Sequence, residues 1–166
     1  MDAADQFGAM TAVQNFANFQ RLLAPSAPSA TSPGGAMSIA RGRMLFETTG
    51  CALCHTPTLR TSDSGSVLVL RDKPANLFSD LLVHDMGAGL ADGVSQGQAG
   101  PREFRTAPLW GVGQRIFFLH DGRTSNLLQA IRQHQSDGSE ANLVVSRFYT
   151  LGPAYQQDIL NFLRSL

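Results

Sequence analysis

Apolar side chains recur at helical spacing in several stretches of the chain. In residues 11–23, Val13, Phe16, Phe19 and Leu23 fall on one face and predict a short helix. A second helix is expected over residues 38–49, with Ser38 as N-cap and Gly50 as the left-handed stop. A third is capped by Ser125 and runs to about His134, with Leu127, Leu128 and Ile131 on its apolar side. The last begins at Pro153, a favoured first-turn residue, and carries the stripe Tyr155, Ile159, Phe162, Leu163 and Leu166.

Between these helices the pattern breaks down. Residues 24–35 are small and rich in Pro, Ser and Gly, and read as a linker. This divides the chain into an N-terminal helical arm with its Pro/Ser-rich linker, residues 1–35, and a main domain, residues 36–166. Residues 56–76 are polar and irregular except for Val67–Leu70, a strand or core segment. Residues 87–103 hold five glycines and a proline and form a loop. Residues 104–119 read as turns and extended chain packed on a core. The expected class is mainly α, with long loops that need something to pack on; a buried cofactor would supply it.

Composition narrows the picture. Thirteen basic and thirteen acidic side chains cancel in 166 residues, and Lys73 is the sole lysine among them. A neutral, lysine-poor chain is poorly suited to binding nucleic acid backbones. Docking steered by a lysine ring is equally excluded, so association with a partner should depend weakly on salt. No apolar run approaches the ~20 residues of a membrane span. The first five residues, acidic and small, lack the features of a signal peptide. Two cysteines exclude a disulfide framework.

Those two cysteines stand in Cys51-Ala-Leu-Cys54-His55, the signature of covalent haem c attachment. Two thiols at this spacing can reach the two vinyl groups of one porphyrin, and the histidine that follows lies under the iron as proximal ligand. A thioredoxin-like pair should open a helix after a buried strand, whereas here a helix precedes the motif and Thr56-Pro57 follows it. A zinc site lacks its further cysteine ligands. The stretch Gly42–Phe46 before the motif resembles the first helix of c-type cytochromes, which implies that Gly42 permits close contact with the C-terminal helix and that Phe46 packs beside the haem.

The second axial position decides the chemistry: histidine lowers the potential, methionine raises it, and an open site admits small ligands. His134 ranks first because it lies on or beside the apolar face of its helix. Met86, in a loop past the haem, is the alternative distal ligand, followed by His120, then by His84 or an open site. Arg105 and Trp110 are candidates to hold the haem propionates, with Arg115 and Arg123 weaker ones. Asp85, Asp92 and Asp121 sit beside glycines without the spacing of a calcium loop and read as turn residues.

Several segments together resemble the C-terminal part of the di-haem oxidoreductase family, which is related to bacterial di-haem cytochrome c peroxidases. They are Gly42–Phe46, Gly50–Pro57, Ser79–Gly87, Glu103–Gly113, Phe118–Arg123 and Leu128–Ile131, and the resemblance runs from about residue 11 to 166. It implies a c-type cytochrome fold with long loops wrapped around one covalently bound haem. In that superfamily this is the haem where electrons enter, and its distal ligand comes from the helix that here ends in His134. The peroxide-reducing haem belongs to a preceding domain, whose end the helix at 11–23 resembles. One attachment motif is present here, so the resemblance implies an electron-transfer role. The alternatives are a peroxidase-like enzyme with an open or labile distal site, with His84 or His120 as acid/base, and the electron-entry domain of a larger di-haem peroxidase. The implied partners are redox proteins, among them another haem domain, and the N-terminal arm is a candidate for self-association. The implied location is periplasmic or extracellular.

Overall fold

The computed structural model describes residues 10–166; the acidic start of the chain, residues 1–5, lies outside them. Five helices, α1 (Ala12–Leu22), α2 (Ala36–Thr49), α3 (Leu127–Gln133), α4 (Asn142–Thr150) and α5 (Pro153–Ser165), account for most of the regular structure. Two small antiparallel pairs complete it. Strand β1 (Leu59–Arg60) pairs with β2 (Pro74–Ala75), Leu59 opposite Ala75. Strand β3 (Val83–Asp85) pairs with β4 (Glu103–Arg105), His84 opposite Phe104. Among the described residues no helix is long and apolar enough to cross a membrane.

The frame is the crossing of α2 on α5. Gly42 makes it close: a Cβ there would lie 2.0 Å from the Asp158 carbonyl oxygen and 2.8 Å from the Phe162 Cβ. The aromatic rings pack at this crossing. Phe46 meets Phe162 and Phe78 edge-on, with ring centroids 5.4 and 6.2 Å away, and Phe78 meets Phe162 at 5.6 Å. Ile159, Leu163, Leu166 and, from α4, Phe148 complete the buried core. Such edge contacts add to the burial of large apolar area.

One charge is buried in this frame. Asp158 is 4% exposed, and it accepts hydrogen bonds of 2.5 Å from both the Ser38 hydroxyl and Arg41 Nε. Asn161 in turn donates to the Ser38 oxygen at 2.9 Å. Ser38 is therefore a tie between helices and not the expected N-cap; α2 starts earlier, with Gly35 in the cap position. At its other end, Gly50 adopts φ 107°, and its N–H returns to the carbonyls of Phe46 and Glu47. That conformation suits glycine and turns the chain sharply into Cys51.

Other expectations shift. Asn126, not Ser125, caps α3 by accepting from the Gln129 N–H. Val67–Leu70 is neither strand nor core: Leu68–Leu70 is a 3₁₀ turn, with Leu68 and Val69 exposed. Three aliphatic residues among serines have no second layer to bury against. Tyr155 belongs to the outer side of α5, where the Arg41 guanidinium lies 5.7 Å over its ring. Helix α4 was not expected at all. Its cap residue, Ala141, makes no side-chain capping bond, so no local start signal marks it; burial of Val145 and Phe148 holds it.

The linker is fixed at its far end. The Ser29 N–H donates to the Ser165 carbonyl at 2.7 Å. Helix α1 stands before it with none of its residues buried.

Two outcomes follow from this frame. Gly42→Val should cost about 3 kcal/mol, because its side chain must displace backbone of α5 and not a yielding side chain; urea unfolding monitored by circular dichroism measures it. The Asp158 carboxyl is held below the usual carboxylate range by its hydrogen bond from Arg41 first and from Ser38 next. Its contribution is present above the unfolded-state pKa of about 4 and is lost as pH falls through the lower folded value. Asp158→Asn should therefore destabilise the protein at neutral pH, and the gap to wild type should narrow on acidification. A gap independent of pH would contradict this.

Candidate functional site

The attachment motif forms the turn that follows α2. Cys51–Leu53 is one 3₁₀ turn, and the His55 N–H donates to the Cys51 carbonyl at 2.9 Å. Residues 78–80 run alongside: the N–H groups of Phe78, Ser79 and Asp80 donate to the carbonyls of Pro57, Thr56 and Cys54 at 3.3, 2.9 and 2.8 Å. Ser79 is fully buried, and its hydroxyl donates to the Thr106 carbonyl at 2.7 Å. This segment carries a strained residue. Phe78 has φ 54°, a left-handed conformation that costs a bulky residue about 1–3 kcal/mol. Its ring stays locked in the aromatic core while its carbonyl oxygen lies 3.1 Å from His55 Nδ1.

That contact sets the state of His55. Burial drives its pKa down to about 4, against the smaller upward pull of the Phe78 hydrogen bond, so it is neutral at physiological pH. A carbonyl oxygen can only accept. The proton of the neutral ring is thus on Nδ1, and the Nε2 lone pair is free. His134 repeats the arrangement from the other end of the chain. It caps the C-terminus of α3, and its Nδ1 lies 2.7 Å from the Ala130 carbonyl. Burial pushes its pKa down as well. Neither Nε2 has a partner among the described residues, and neither is sealed off as a buried polar atom without one. The two rings are near enough for a charge on His134 to oppose one on His55.

The loop after His134 is pinned. Ser139 donates to the His134 carbonyl at 2.6 Å. Asn142 bonds both the N–H and the carbonyl of Ser136. Ser136 reaches the Met86 carbonyl at 3.1 Å, and the Glu140 N–H donates to the Asp85 carbonyl at 2.9 Å. Backbone around Met86 thereby braces the His134 loop.

His84 has the opposite character. Its Nε2 lies 2.9 Å from Asp80 and its Nδ1 2.8 Å from Glu140. The Glu140 hydrogen bond first, then Asp80, raises its pKa over the opposing cost of burial. Held between two carboxylates, both of its ring nitrogens are already engaged. Cys54, Asp80 and His84 do bring ligand atoms within 4.8 Å of one another, but a bound cation would have to displace this clamp. The thiols are also in the wrong state for a metal thiolate or a redox nucleophile. Burial pushes Cys51 up to about 11; burial, Asp80 and Glu140 raise Cys54. Two neutral thiols and two neutral imidazoles with free Nε2 fit a thioether-linked haem with two nitrogen ligands.

The remaining candidates are placed as follows. Phe46 is in the core, its ring centroid 6.3 Å from that of His55. His120 stacks on Phe104 at 4.2 Å, with Nε2 3.8 Å from Asp92. Arg105 and Arg115 are exposed, and Trp110 is 37% exposed. Arg102 holds Asp85 by two bonds, of 3.1 and 2.6 Å. Asp121 pairs with Arg123, and Asp92 accepts from the Val94 N–H. These aspartates are thus spent on turns and ion pairs. The sequence reading missed Phe78, Asp80, Glu140 and Ser139, whose roles rest on contacts across the fold; the left-handed Phe78 leaves no sequence signal.

Comparisons with known proteins agree with the geometry. No curated protein matches the chain significantly. Among solved structures, a chain of hydrazine synthase from Kuenenia stuttgartiensis is similar, with 22% identity and a TM-score of 0.56 over 88% of this chain. The chain spans about half, 52%, of that protein's length, and likeness at this identity speaks for the fold alone. The family described as "Di-haem oxidoreductase, putative peroxidase" matches residues 3–166. With the match covering nearly the whole sequence, the chain belongs to the di-haem oxidoreductase family.

Proposed function

We propose that this chain is an electron-transfer domain of the c-type cytochrome kind. One haem is held by thioethers from Cys51 and Cys54, with His55 as proximal and His134 as distal ligand. The observation that carries the reading is the matched pair of histidines. Each is neutral, each commits Nδ1–H to a backbone carbonyl, and each leaves Nε2 open. Hydrogen bonding at Nδ1 fixes ring orientation and raises the donor strength of Nε2, as it does in ligating histidines generally. When bound, the haem supplies a one-electron iron couple, and bis-histidine ligation places it lower than a His/Met pair would.

The chain's own residues do the rest. Phe78 and Ala130 orient the two rings through their carbonyls. Half-buried Leu109, Phe118, Leu128 and Ile131 pack against the core and offer an apolar wall that excludes water. Arg105 and Trp110 are the exposed donors assigned to the propionates. His84, beside Cys54, is clamped between Asp80 and Glu140 and takes no ligand role. The packing of α2 on α5 through Gly42 supports a cytochrome c-type arrangement, and covalent haem attachment supports a periplasmic or extracellular location. Redox proteins, another haem domain among them, are the partners this role requires.

A second reading, peroxidase chemistry at an open distal site, has the family description in its favour. Absorption spectra of the purified holoprotein, oxidised and reduced, with and without carbon monoxide, separate the two. Wild type should be low-spin, lack the methionine–iron charge-transfer band and ignore carbon monoxide. His134→Ala should become high-spin and bind it, while Met86→Ala stays like wild type. Haem should remain on the chain after acidic organic extraction. A high-spin wild type that binds carbon monoxide would put the peroxidase reading first.

A further inference from the structure

Among the described residues, helix α1 has no surface to fold against. It has 11 residues and none is buried. Its start is well encoded: Thr11 accepts from the Gln14 N–H, and the Gln14 side chain accepts from the Thr11 N–H at 2.8 Å. Yet a helix this short is marginal in water, and such helices normally gain stability by packing an amphipathic face. Here that face points outward. Phe16 and Phe19 are 61% and 60% exposed, and Leu22 and Leu23 are 58% and 57% exposed. The one charge of the helix, Arg21, lies on the opposite side, with Gln14 and Asn18.

We propose that this face pairs with the same face of a second copy of the chain, around a two-fold axis. Three features favour a copy over another occupant. First, the pattern is self-complementary. In an antiparallel pair centred between residues 17 and 18, Phe16 of one copy meets Phe19 of the other, and the reverse, as an isologous contact requires. Second, no charge on the face opposes its own image. Third, the four side chains expose at most about 500 Å² per copy, so a pair that covered them fully would reach about 1,000 Å², the lower bound for a specific interface.

Light scattering coupled to size exclusion tests the pairing on the full-length holoprotein, loaded from about 1 to 100 µM, a range suited to an interface of this size. The mass should rise from the 17.8 kDa of one chain toward twice that value. The double variant Phe16→Asp, Phe19→Asp should remain at the single-chain mass throughout, with the haem spectrum and helical circular dichroism of wild type. Asn18→Asp, on the other face, should pair as wild type does. A wild type that stays single at the highest concentration would overturn the proposal and reserve the face for a different protein. A pair that survives the double aspartate variant would overturn it too.

Discussion

Everything in the site hangs on the close crossing of α2 over α5. Because Gly42 has no side chain, the two helix backbones approach to a distance that any Cβ would forbid. That approach brings Phe46 and Phe162 into one aromatic cluster and leaves a single gap, which Phe78 fills. Phe78 is thus fixed by its ring, and the left-handed turn of its backbone follows from that fixation. Its carbonyl then has one direction in which to point, and His55 lies there. A packing constraint between two helices therefore reaches the imidazole in three steps: small residue, aromatic wedge, oriented carbonyl. The buried Asp158, tied to Ser38 and Arg41 across the same interface, fixes the register of the two helices. Its desolvation cost is offset by hydrogen bonds from two donors, the Ser38 hydroxyl and Arg41 Nε, and not by Coulomb attraction alone.

Much of this was legible in the sequence where the signal is local. The helices of residues 11–23 and 153–166 and the stop at Gly50 appear where their patterns place them, except that Tyr155 lies outside the buried stripe. Gly42 was readable as a close-approach position, and His134 as a residue facing the interior. What was not legible depends on contacts far apart in sequence. Nothing near Ser38 announces Asp158, so the hydroxyl was read as a cap, its commonest local use. Nothing near Phe78 announces φ 54°. Helix α4 lacks a capping residue and exists because Val145 and Phe148 find the core. His84 was weighed as a ligand because its partner Glu140 could not be seen, and the two carboxylates that surround it change its role altogether.

The four histidines show how environment, and not residue type, assigns chemistry. His55 and His134 are buried against single carbonyls and stay neutral. His84 lies between two carboxylates and is driven toward the cation. His120 uses its ring face on Phe104. His55 and His134 keep an Nε2 lone pair available, which is the property that ligation to iron demands.

The way His134 is held bears on the choice between the two functional readings. An open or labile distal site needs its covering residue to swing away. The chain does the reverse: Ser139 fixes the His134 carbonyl, Asn142 closes the Ser136 turn, and Ser136 and Glu140 fasten the loop to Met86 and Asp85. Releasing His134 would break several of these bonds together, and Asn142 opens α4, so the strain would pass into the core. A residue secured from its own helix, its loop and the following helix suits the distal role proposed for it, in which a ligand must keep its place as iron changes charge. That is what electron transfer asks of a protein, where the surrounding side chains position the cofactor and take no part in bond making.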